Sequence, residues 1–201
     1  MHYVKTPEWE AWELEAQNLA EDLKSKGKKV FFMPVGGSVP TGILGYVEAF
    51  VEIMEDCERL GIEFDHIVHA TGSGGTQAGL VVGKELSGWS GQILGISVAM
   101  KKGELEPHVL ELASATAGLL GGKVSKGAVK VDDRYIGEGY AIPTEEGNRA
   151  LELMATREGI ILDRVYTGKA MAGLLDYLEQ GLLTGGKILF IHTGGQPELF
   201  A

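Results

Sequence analysis

Apolar residues recur along this chain in two alternating rhythms. In residues 8–26, Trp9, Trp12, Ala16, Leu19, Ala20 and Leu23 fall three or four apart, with acids early and lysines late. That spacing predicts a helix with one buried face and charges matched to its dipole, ended by Gly27. Residues 29–34 (KVFFMP) are a short continuous apolar run and predict a buried strand, closed by a turn at Gly36-Gly37-Ser38. Helical spacing returns over 42–60, with Leu44, Val47, Val51 and Met54 on one face. A second strand is predicted at 66–71 (HIVHAT), then a Gly-rich turn, a helix through Leu86, and a third strand at 92–98 (QILGISV). Helices follow at 105–120, at 144–158 behind Thr144, and at 168–180. The weakly patterned stretch 123–134 has room for a short edge strand, and 187–192 (KILFIH) is a last strand before Thr193-Gly194-Gly195.

Strands that are apolar throughout and alternate with helices predict an α/β fold, a three-layer parallel sheet with helices on both faces. No repeat or clear linker divides the chain, and the soft boundaries are 1–7 and 121–140. Composition sharpens this in one respect: 30 of the 201 residues are Gly, about twice the usual share. They cluster at strand ends, where the chain turns tightly and backbone can approach a ligand. The formal net charge is −10, which disfavours nucleic acid and anionic membrane surfaces as partners. No apolar run is long enough to predict a membrane span, and the acidic start, with two Trp, does not read as a signal peptide. The single Cys57 excludes an internal disulfide and a Cys-based metal site, and reads as a free thiol in a cytoplasmic protein. No metal site is expected.

The most specific local feature is a strand running into Gly72-Ser73-Gly74-Gly75-Thr76-Gln77-Ala78-Gly79 and then a helix. Small residues at a helix N-terminus leave converging N–H groups that suit one phosphate, and Ser73 and Thr76 add hydroxyls. The alternative is a close strand–helix turn with no ligand. No Lys follows as in an ATP-binding loop, and the Gly-x-Gly-x-x-Gly spacing of dinucleotide sites is absent. Ligands of open α/β sheets bind beyond the carboxyl ends of strands, so the His192-Thr193-Gly194-Gly195 turn can share the crevice. In Val165-Tyr166-Thr167-Gly168-Lys169, a hydroxyl of Thr167 or Tyr166 is placed to cap the helix. Lys169, in a helical first turn with no apolar strand presenting it, reads as solvated or phosphate-facing rather than as a Schiff-base lysine. Tyr140 sits in a fixed loop, Gly139-Tyr140-Ala141-Ile142-Pro143. His66 and His69 read as ordinary strand-end residues.

Taken in order, these stretches resemble one family. They are Pro34-Val35-Gly36-Gly37-Ser38, the run 42–48, the run 72–79, Gly139 through Pro143, Glu158-Gly159-Ile160 with 165–173, and 189–195. The chain is similar to the C-terminal portion of the D-cysteine desulfhydrase and 1-aminocyclopropane-1-carboxylate deaminase family, pyridoxal-phosphate enzymes of the tryptophan synthase β-like fold (fold type II). The resemblance implies pyridoxal 5'-phosphate as cofactor, with its phosphate on Gly72, Ser73, Gly74, Gly75 and Thr76. It implies Thr167 at the pyridine nitrogen, and Tyr140 and Tyr166 beside a small amino-acid substrate, Tyr166 being the better candidate for proton or leaving-group chemistry. Thr193 and Gly194 would line the substrate pocket.

Deaminases of this family carry Glu where Thr167 stands and Leu where Thr193 stands. A carboxylate would keep the pyridine nitrogen protonated, whereas a hydroxyl is uncharged. The weaker electron sink suits β-elimination from D-cysteine, giving pyruvate, sulfide and ammonia, with cyclopropane opening and sulfite release from a sulfonated alanine as alternatives. The family's N-terminal region, with its cofactor-bearing lysine, has no counterpart here. The chain alone is therefore expected to be inactive, and to work as a homodimer or with an N-terminal half, its residues forming mostly the larger, cofactor-binding domain. A non-catalytic α/β module that binds a phosphate-bearing ligand is the rival reading.

Overall fold

The computed structural model describes residues 9–195 and residue 200. The expected helix start at residue 8 and the soft boundary at 1–7 lie outside them. Helix α1 (Trp9–Ser25) ends as its pattern requires, with Gly27 at φ 72°, a left-handed turn that Gly makes without steric penalty. Helix α2 (Pro40–Leu60) starts two residues earlier than its apolar spacing suggests, because Pro40 is pre-set for a first helical turn.

Four strands form one parallel sheet: β1 (His66–Thr71), β2 (Gln92–Ser97), β3 (Val131–Asp132) and β4 (Ile188–Ile191). Their spatial order is β3-β2-β1-β4. Between them run α3 (Gly75–Ser87), α4 (Lys102–Leu119), α5 (Glu145–Glu158) and α6 (Thr167–Glu179). Strand side chains alternate between faces, and the core divides accordingly. Ile67, Ile93 and Val131 pack with α2, α3 and α4, among them Phe50, Leu80 and Val109. Val68, Ala70, Leu94 and Ile96 pack with α5 and α6, among them Ala150, Ala170 and Leu174. The expected three layers are thus present, and no helix among the described residues is long and apolar enough to cross a membrane.

One predicted element is corrected. Residues 29–34 form no strand, and Phe31 and Met33 are 89% and 69% exposed. An apolar run becomes a strand only where a neighbouring strand satisfies its N–H and C=O groups. Neither edge strand of the described sheet, β3 or β4, pairs with this run.

The histidines of β1 also depart from expectation. His66 is the first residue of β1, but His69 lies inside the strand and is completely buried. Its Nδ1 lies 2.8 Å from the Ala70 carbonyl oxygen. Only an N–H can meet a carbonyl, so the proton sits on Nδ1. Nε2 is buried with no partner among the described residues. Burial pulls its pKa from the ordinary 6.5 down to about 4. Because the unfolded chain binds this proton more readily, stability falls as pH drops from 6.5 to about 4 and His69 contributes no further slope below that. We expect about 3 kcal/mol over that window, read as the difference between urea unfolding of the wild type and of His69→Leu, whose pH profile should lack this component.

Candidate active site

The site begins where β1 ends. β1 and β4 are parallel neighbours registered through His69–Ile191, so the loops that follow them, 72–74 and 192–195, emerge side by side at one end of the sheet. Gly74, at φ 85°, precedes α3 with no side-chain cap hydrogen bond. The leading N–H groups of α3 are therefore left for a ligand, with the positive end of the helix dipole behind them.

Several contacts shape this cradle. A Cβ on Gly75 would lie 2.8 Å from Ser38 Oγ, and one on Gly74 would lie 2.8 Å from Val109 Cγ2. The turn Val35–Gly37 lies against the loop, where a Cβ on Gly36 would collide with the Ser73 hydroxyl, and Ser38 Oγ donates to Ser73 Oγ at 2.9 Å. From α4, His108 Nε2 donates to the Ser73 carbonyl at 3.2 Å; a carbonyl only accepts, so Nε2 carries the proton. Thr71 Oγ1, one residue before the loop, is buried and has no partner among the described residues. An orphaned buried hydroxyl, uncapped amides and glycines with no room for a Cβ fit an anionic group such as a phosphate. Thr71 and His108 carry no motif by themselves and went unread as site residues, and Ser38 was read only as part of a turn and of a family-like stretch. Only the fold brings them to the cradle.

Tyr166 reaches the same place from the other face. Its Cε1 lies 4.0 Å from the position a Cβ would take on Gly72. Tyr140 and Tyr166 are hydrogen-bonded through their hydroxyls, with ring centroids 6.0 Å apart in an edge-to-face arrangement. Burial first, and then the bond to Tyr140, push the Tyr166 phenol well above its ordinary value of 10. Tyr166 therefore holds its proton at neutral pH.

The expectation that Thr167 or Tyr166 caps α6 is corrected. Asp163 does so, fully buried. Its carboxylate accepts from the N–H groups of Val165 at 2.8 Å, Tyr166 at 2.7 Å and Thr167 at 2.8 Å. Thr167 Oγ1 donates to Asp163 Oδ1 at 2.6 Å and accepts from Asp163 N–H at 2.9 Å. An Asp four residues ahead of Thr167 was the available signal; a cap normally lies closer to the helix, so spacing alone does not point to it. The 192–195 turn closes on the same carboxylate, because a Cβ on Gly195 would collide with Asp163. Thr193 and Gly194 are half-buried beside it, and Gly194 N–H donates to His192 Nδ1 at 3.2 Å.

Lys169 is the second correction. It is neither solvated nor turned toward the cradle: it is completely buried. Its ammonium donates to the carbonyls of Ile136 at 2.7 Å and Gly139 at 3.0 Å. Among the described residues no group of His, Cys, Asp and Glu could hold a metal ion.

A parallel α/β sheet with a loop that suits an anion at one strand end, beside a paired tyrosine and a buried carboxylate, fits a protein that binds a phosphate-bearing ligand. The family described as pyridoxal-phosphate dependent enzyme matches residues 4–194, and the chain belongs to it. Pyridoxal phosphate is that family's cofactor. D-cysteine desulfhydrase of Salmonella typhi is 42% identical over 188 residues, covering 93% of this chain and 57% of that protein. A putative 1-aminocyclopropane-1-carboxylate deaminase of Pyrococcus furiosus is 47% identical over 185 residues, covering 92% of this chain and 56% of that protein. Among solved structures, an ACC deaminase homologue superposes with a TM-score of 0.86 at 42% identity, over 96% of this chain and 57% of its own. The chain thus spans a little over half the length of the relatives it matches. A threonine deaminase, at 18% identity and a TM-score of 0.52 over 90% of this chain and 70% of its own, shares the fold, that of the fold type II enzymes.

Proposed function

We propose that these residues form the greater part of the cofactor-binding domain of a lyase that releases sulfide from D-cysteine, leaving pyruvate and ammonia. The observation that carries this reading is Thr167. Its hydroxyl, buried against Asp163, brings no negative charge of its own to a ring nitrogen, unlike a carboxylate at that place. An uncharged neighbour favours loss of a good leaving group over opening of a strained carbon ring.

Bound pyridoxal phosphate would supply an electron sink for the charge that develops at the substrate's α-carbon. The chain's residues do the rest. The N–H groups of Gly75 and Thr76, with the hydroxyls of Thr71, Ser73 and Thr76, would hold the cofactor's phosphate. Tyr166 Oη, still protonated at neutral pH, gives its proton to the departing sulfur, and Tyr140 Oη fixes the direction of that proton. Thr193 and Gly194 bound the substrate side. Gly195 packs on Asp163, tying the 192–195 turn to the start of α6.

None of the chain's lysines lies in a sequence context like that of the family's cofactor-bearing lysine. Lys169, the lysine nearest Tyr166 in the chain, has its ammonium engaged by two carbonyls. The 201 residues by themselves are therefore read as inactive. They associate with a polypeptide carrying the family's N-terminal region, or with a second copy. The exposed run Phe31, Phe32, Met33 and Val35 is the apolar edge that such a partner covers. The free thiol Cys57 supports a cytoplasmic setting.

The test is an assay of the chain combined with that N-terminal polypeptide and the cofactor, against D-cysteine, L-cysteine, sulfonated alanine and the cyclopropane acid. Sulfide and pyruvate from D-cysteine are expected to dominate. Dominant cyclopropane opening would overturn the reading of Thr167. Borohydride fixation of the cofactor onto a lysine of the isolated chain would overturn the reading of inactivity.

A further inference from the structure

Lys169 is buried in the first turn of α6 and has no ion pair with a carboxylate among the described residues; its ammonium faces two carbonyl oxygens of the 136–140 loop. Removing a charge from water is expensive, so a lysine held this way is a poor choice for mere packing. A methionine would fill similar space without that penalty. The loop it grips shows a second anomaly. Ala141 has φ 61°, the left-handed region that residues other than Gly adopt at a cost of about 1–2 kcal/mol. Such a conformation persists only where the surroundings hold it, and the hold here is next to Tyr140. The Gly139 carbonyl also accepts from Ile142 N–H at 3.4 Å, which closes the turn around Tyr140 and Ala141.

From these contacts we infer that Lys169 is a positioning residue, whose ammonium clamps the Ile136 and Gly139 carbonyls and so sets the Tyr140 hydroxyl against Tyr166. Both tyrosines are then referenced to one helix start. Tyr166 precedes α6 directly, and Tyr140 is tied to α6 through Lys169. The inference rests on the reading that the tyrosine pair faces the substrate, but the clamp itself is measurable without turnover.

The experiment is Lys169→Met in the full chain with its tyrosines replaced by fluorotyrosine. Fluorine NMR signals are assigned by single Tyr→Phe changes. The Tyr140 and Tyr166 signals are expected to shift while that of Tyr46 stays in place. In the assembled enzyme K169M should lower kcat about 100-fold, the scale of a misplaced catalytic group, with KM for D-cysteine little changed. Unmoved Tyr140 and Tyr166 signals in a folded K169M overturn the clamp. Should K169M fail to fold, the wild-type chain decides. A slowly exchanging lysine ammonium signal, coupled through hydrogen bonds to labelled carbonyls of Ile136 and Gly139, supports the clamp, and its absence overturns it. If the assembled wild type releases no sulfide, the proposed reaction fails while the fluorine signals still decide the clamp.

Discussion

Asp163→Ala is expected to lower stability by about 4 kcal/mol, because a single carboxylate serves the whole start of α6. The substitution strands the N–H groups of Val165, Tyr166 and Thr167, all bonded to Asp163 within 2.7–2.8 Å. The Thr167 hydroxyl loses its acceptor as well. Water does not replace the carboxylate readily, since Asp163 and Thr167 are both completely buried. A surface cap is worth about 1 kcal/mol; burial and the number of orphaned donors raise this one. Asp163→Asn keeps an acceptor oxygen but not the charge, and should lose roughly half as much, because bonds to a charged acceptor are about twice as strong as neutral ones. Urea unfolding of the three proteins checks the order. A loss below about 1 kcal/mol for Asp163→Ala would mean that the helix start is satisfied by other groups.

Gly79→Ala should destabilise by about 2 kcal/mol, although Ala is the better helix former by about 1 kcal/mol. Gly79 lies where α3 meets α2. A Cβ there would collide with Tyr46 Cβ and come within 2.9 Å of the Ile43 carbonyl oxygen. Neither obstacle is the loose end of a flexible side chain, so the helices must separate, and the overpacking outweighs the propensity gain. Gly45, on α2, supplies the control. A Cβ there meets nothing within 4 Å, so Gly45→Ala should keep the propensity gain and stabilise by up to about 1 kcal/mol. Thermal unfolding of both variants separates the two effects. A stabilised Gly79→Ala would show that α2 and α3 have room for the added methyl group.

The chain's own pattern was sufficient for much of the fold. Apolar runs such as HIVHAT and QILGIS are six-residue strands because an apolar run bounded by Gly has few other ways to bury both faces. Thr144 was legible as a cap, and its side chain accepts from Gly147 N–H at 3.0 Å, because capping is a local hydrogen bond. The Gly-rich turn between β1 and α3 was legible for the same reason. Gly72 through Thr76 leave the amides open through their own lack of large side chains, whatever packs around them.

Long-range partners were not legible. KVFFMP has the composition of a strand and lacks a neighbour to pair with, a property of the sheet and not of the run itself. Lys169 reads as polar in any local window, and only the approach of Ile136 and Gly139 gives its ammonium a buried place. Asp163 became the cap of α6 because the 163–166 turn folds back on the helix start. Sequence by itself therefore determined most of the elements, the family likeness and a Gly-rich loop with open amides, all properties of neighbouring residues. Tertiary structure decided which polar groups are buried and what they bond, as with Asp163, Lys169 and the Tyr140–Tyr166 pair, because desolvation and hydrogen bonding depend on groups distant in the chain.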